Sequence, residues 1–65
     1  MASTATITEY LEGLSFPASK QDILDYVEER YAPPNVMDTL FNMPEPPDGK
    51  YYSMASVWDA AGKVA

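Results

Sequence analysis

Asp22, Asp25 and Glu29 fall at i, i+3 and i+7, which puts three carboxylates on one face of a helix. Carboxylates that close could offer oxygen ligands to a hard divalent cation. The competing reading is a solvated acidic face, and the sequence favours it, because no EF-hand loop surrounds the three. Paired carboxylates also do acid–base work, but across a cleft that a chain of 65 residues has little material to build. Ser3, Ser15, Ser19, Ser53 and Ser56 have no histidine to activate them, since the chain contains neither histidine nor cysteine. Lys20, Lys50 and Lys63 are expected at the surface and protonated. Three glycines form no phosphate-cradling loop. No catalytic residue, metal or cofactor is therefore expected, and the chain reads as a non-enzyme.

Binding chemistry is better represented. Met37, Met43, Met54, Tyr51, Tyr52 and Trp58 crowd the second half of the chain. The bland reading makes them core. The functional reading leaves some of them as an exposed apolar patch, because Tyr, Trp and Met are enriched at protein interfaces. The patch predicted here comprises Met43, Pro44, Pro47, Tyr51, Tyr52 and Trp58. Pro44-x-x-Pro47 also matches a minimal polyproline ligand, a pattern common by chance. A helix–turn–helix reading is the alternative. The second and third helical segments are joined by a short turn, but residues 35 to 43 offer Asn35 and Asn42 and no basic residue.

Four segments must position these side chains. Ile7, Tyr10, Leu11 and Leu14 repeat at helical spacing, with Thr6 and Glu9 as a capping box and Gly13 at the end. A second helix is expected from about Lys20 to Tyr31, capped by Ser19, with Ile23, Leu24, Val27 and Tyr31 on its inner face. Phe16, in the link before it, is expected to tuck inward. Pro33 and Pro34 end that helix and open a third, running to about Asn42 with the stripe Val36, Met37, Leu40 and Phe41. Three prolines and Asp48-Gly49 then force a loop or turn. Tyr51 and Tyr52 follow as extended chain. Ser53 caps a last helix, Met54 to Gly62, with the stripe Met54, Val57, Trp58 and Ala61, and Asp59 and Lys63 at i, i+4. The expected fold is all-α: a compact bundle of three to four short helices with a proline-rich loop before the last. Residues 1–5 are expected as a flexible lead and residues 6–63 as one domain.

The run Leu11-Glu12-Gly13-Leu14-Ser15-Phe16-Pro17-Ala18-Ser19, followed by an acidic amphipathic helix, resembles the opening of a family of short prokaryotic proteins known as domain of unknown function 2795. Ala32 to Leu40, Met43-Pro44 and Tyr52 to Val57 resemble its later parts. The likeness covers about residues 7 to 62. Glu45 to Lys50 departs from it, being longer and richer in proline. The resemblance implies a helical domain and carries no activity with it.

Ten acidic residues against four basic ones give a formal charge of −6. That charge repels nucleic-acid phosphates and anionic membranes, and suits a basic partner. No apolar run approaches the roughly 18 residues of a membrane span. The first residues lack a secretory signal's basic and apolar regions, and with no cysteine the expected location is the cytoplasm. The functional expectation is a small acidic module that binds another protein, a basic one or a second copy of itself. The alternative is a small regulatory nucleic-acid-binding domain.

Overall fold

In the computed structural model, which describes residues 3–64, four helices surround one apolar core, and a very short antiparallel ladder ties the two halves of the chain together. Helix α1 is Thr4–Leu11, strand β1 Ala18–Ser19, helix α2 Lys20–Glu29 and helix α3 Pro34–Asn42. Strand β2, Lys50–Tyr51, precedes helix α4, Met54–Gly62. Ala18 pairs with Tyr51 and Ser19 with Lys50. The fold is thus mostly α, as expected, with a ladder that the sequence pattern did not announce.

Each helix start has a local cause. In α1 the cap is Ser3, whose Oγ accepts from the Thr6 N–H at 3.2 Å, and not Thr6 as expected. The helix therefore begins before its apolar stripe, with Ser3 as its cap and Thr4 and Ala5 in its first turn; Met1 and Ala2 lie outside the described residues. In α2, Ser19 Oγ accepts from the Asp22 N–H while Asp22 accepts from the Ser19 N–H, both at 3.1 Å. Pro34 starts α3, where its missing N–H costs no hydrogen bond. Ser53 and Ser56 form a reciprocal box at the start of α4.

The helix ends borrow cations from their neighbours. None of the four helices has a basic residue in its own last turn. Arg30, at the end of α2, reaches the carbonyls of Glu9 and Glu12 at the C-terminus of α1, each at 3.4 Å. Lys20, at the start of α2, donates to the carbonyl of Met43 just past α3, at 3.0 Å. A positive charge there complements the helix dipole and satisfies carbonyls that lack intrahelical partners. Lys20 is accordingly half-buried, not the free surface lysine expected.

The core contains Ile7 and Leu11 of α1, Ala18, Ile23 and Val27 of α2, Val36 and Leu40 of α3, Met43, Tyr51, and Val57, Ala60 and Ala61 of α4. Phe16 packs against it from the link, whose Phe16–Pro17 bond is cis. Helix α2 lies between α1 and α3, α1 packs on α4, and β2 leads into α4. No helix among the described residues is long and apolar enough to cross a membrane.

Candidate interaction surface

The residues expected to form one patch divide between core and surface. Tyr51 and Met43 are fully buried, so neither is available to a partner. The cause for Tyr51 is the ladder: pairing with Ala18 turns its ring inward, and its hydroxyl donates to the Pro44 carbonyl at 2.6 Å. Strand alternation then turns Tyr52 outward. Met43 closes the end of α3, one turn past Leu40 and two past Val36 on the same side.

Pro44, Pro47 and Tyr52 are exposed. The loop is built on a turn in which the Gly49 N–H donates to the Pro46 carbonyl at 2.9 Å, with Gly49 at φ +76°. Pro47 sits inside this turn, so Pro44-x-x-Pro47 does not run on as a straight polyproline segment. The Tyr52 hydroxyl donates to Asp48, and the Lys50 N–H donates to the same carboxylate. Those two bonds hold Asp48 below the usual carboxylate range, and the hydrogen bond to Asp48, then its charge, push the Tyr52 hydroxyl up. Burial, then Glu45, push the Tyr51 hydroxyl up as well.

Trp58 lies elsewhere. Its indole N–H donates to Thr8 of α1 at 2.8 Å. The loop instead borders a shallow concavity of about 280 Å³ shared with Ser56, Asp59 and Ala60 of α4 and with Lys63 at its end. At 3.6 residues per turn, Trp58 stands about 150° round the helix from the centre of that row. Loop and tryptophan therefore occupy opposite flanks of α4, and the single patch expected from the sequence is two separate places.

Three aromatics whose spacing places them on apolar helical stripes, Tyr31, Phe41 and Trp58, are exposed. Tyr31 is 91% exposed, Phe41 65%, Tyr52 61% and Trp58 42%. Phe41 belongs to a stripe, Val36, Met37, Leu40 and Phe41, that spans about 140° of α3. A helix resting on one core buries only part of so wide a stripe, and here Val36 and Leu40 win. The width of the stripe was the available signal. Tyr31 is not in α2 at all. It sits past the helix end with φ +59°, while its N–H donates to Glu28 and the Ala32 N–H to Val27. This is a Schellman end with tyrosine where glycine is usual, and nothing in the spacing distinguishes it from one more helical turn.

The acidic face of α2 is exposed, with Asp22 engaged at the helix cap and Asp25 accepting from Gln21 at 2.9 Å. Among the described residues no group of three acidic side chains is arranged to hold a metal ion. The polar row of α3, Asn35, Asp38 and Asn42, borders a shallow concavity of about 210 Å³ with Thr39 at its base. The Asn42 amide donates to the Asp38 carbonyl, and a carboxylate stands between the two asparagines. That row presents negative charge where a recognition helix would present positive.

The sequence profile of a family described as "Protein of unknown function (DUF2795)" matches residues 2–58. Comparison with curated proteins and with solved structures returns no match.

Proposed function

The chain belongs to the DUF2795 family, whose description assigns no activity, and from that premise we propose a non-enzymatic protein-interaction module that takes a basic partner. The observation that carries this reading is the exposure of Tyr31, Phe41, Tyr52 and Trp58 around a core already filled by other side chains. Aromatic side chains are the usual anchors of protein contacts, because each buries a large area at low entropy cost. Charge supports the choice of partner. Lys20 and Arg30 are engaged at helix ends and Lys63 pairs with Asp59 at 3.5 Å, so the carboxylates on the outer face of α2 are left to dominate it. The concavities described above lie below the roughly 300–1,000 Å³ typical of small-molecule sites, which also favours a protein partner over a substrate. Nucleic-acid binding by α2 and α3 is the weaker reading, since α3 has no basic residue and carries Asp38.

A quantitative pull-down from the source cell tests the proposal. The bait is the intact chain, compared with a variant carrying Tyr31→Ser, Phe41→Ser and Tyr52→Ser, with circular dichroism as the check on folding. A stoichiometric partner held by the intact chain and lost from the variant is the expected result. The same proteins bound to both baits would overturn the proposal.

A further inference from the structure

The seam between α2 and α3 carries a partly apolar surface outside the loop and Trp58 regions. On α3, Pro34, Met37 and Phe41 form a second apolar row, offset from the buried Val36 and Leu40. On α2, Lys20, Leu24 and Glu28 run along one side at i, i+4, i+8. The Lys20 ammonium lies 5.5 Å from the centre of the Phe41 ring and donates to the Met43 carbonyl, which sets the two rows side by side. Lys20 opens α2 while Phe41 and Met43 close α3, so the two helices run in opposite senses along the seam, with Leu24 one turn in on α2 and Met37 one turn in on α3. Leu24 and Met37 are half-buried against the core and form the floor. Phe41 stands over one end of it. Tyr31, exposed and in a left-handed conformation unusual for a non-glycine residue, follows the C-terminal end of α2 at the other. Glu28 and Asp38 are exposed beside the rows.

Building on the interaction-module reading, we propose that this seam is the docking surface and that its occupant is a basic amphipathic helix of another protein. An apolar strip with an exposed aromatic toward each end suits an amphipathic helix, read through anchors at i, i+3, i+4 and i+7. Charge selects the occupant. A second copy of this chain would bring another −6 to a surface bordered by carboxylates, whereas lysine and arginine beside the anchors would be attracted to it. The seam also sets a direction. Lys20 repels cations at the Phe41 end and Glu28 attracts them at the Tyr31 end, so the partner's basic residues gather toward Tyr31.

The test uses a designed peptide of about four helical turns, roughly 14 residues, with leucines on one face and lysines on the other. A scrambled peptide of the same composition serves as control. Amide chemical shifts of the labelled chain are followed at about 50 mM salt, where surface charges are weakly screened. The expected result is saturable binding with shifts centred on Leu24, Met37 and Phe41, weaker binding of the scrambled peptide, and at least a tenfold loss of affinity in Phe41→Ser. Phe41 is exposed, so that variant keeps its dispersed spectrum; Glu28→Lys should weaken binding and flatten its salt dependence. Lack of saturable binding, shifts centred on the proline loop or Trp58, or unchanged affinity in Phe41→Ser would overturn the proposal. So would a dimer in sedimentation that Phe41→Ser dissolves, which would make the occupant a second copy. A pull-down partner lost with Tyr52→Ser alone but kept by Phe41→Ser would leave the module reading standing and remove only the seam.

Discussion

Gly13 and Tyr31 occupy the same kind of backbone position with opposite chemistry. Gly13 follows α1 at φ +89°, and a Cβ added there would lie 2.9 Å from the Tyr26 hydroxyl, which donates to the Glu12 carbonyl at 2.6 Å. Gly13→Ala therefore combines left-handed strain with loss of that contact, and should cost at least about 1–2 kcal/mol. Chemical denaturation measures it. Tyr31→Gly should do the reverse. Relief of the left-handed strain exceeds the added chain entropy of glycine, for a net gain of about 0.5–1 kcal/mol, a rise in Tm of a few degrees. A gain in stability together with a loss of partner affinity would mark Tyr31 as a residue held for contact and not for folding. Tyr51 supplies a pH signature. Burial raises its folded pKa above the unfolded value of about 10, so the folded state keeps a proton that the unfolded state releases. Its contribution is complete below about pH 10 and is lost as pH rises beyond that, through the folded pKa. Denaturation midpoints should fall above pH 10, and Tyr51→Phe should flatten that fall while costing about 1 kcal/mol at neutral pH from the lost hydrogen bond to Pro44.

The elements were legible where a local cause decides them. Ser19 marks the start of α2 in the sequence and caps it in the structure, together with Asp22; Ser53 does the same for α4, and Pro34 opens α3 without a side-chain cap. Legibility failed where tertiary contacts decide. The Ala18–Tyr51 pairing joins residues far apart in the chain, so no local pattern announces it, and it is what buries Tyr51 and withdraws it from the surface. Helix α1 starts early because Ser3 is as good a cap as Thr6, a choice that propensity cannot make. The cations that finish α1 and α3 come from α2, which a helix-by-helix reading cannot see. Two expectations follow. Ser19→Ala, which removes one half of the box, should cost about 1 kcal/mol. Leu40→Ala should cost about 2–5 kcal/mol, which consumes the roughly 3–5 kcal/mol a core of this size supplies. A thermal melt should show the first variant shifted and the second largely unfolded at 25 °C.

At the scale of the whole molecule, a small acidic domain holds its four helices with one apolar core and commits three of its four basic side chains to helix ends or an ion pair. What remains outside is acidic and studded with aromatics. Partner binding should weaken as salt rises, because rim carboxylates attract a basic surface through solvent. Duplex DNA and RNA should show no gel shift even at about 50 mM salt, since phosphates meet the same charge. A photocrosslinking scan in the source cell tests whether the exposed aromatics meet a partner. A photoreactive phenylalanine analogue replaces Phe41 or Tyr52 in turn, with the exposed positions Glu12 and Ala55 as controls. An adduct of one defined mass is expected from at least one aromatic position and none from the controls. Adducts at no position, or the same adducts at aromatic and control positions alike, would contradict that expectation.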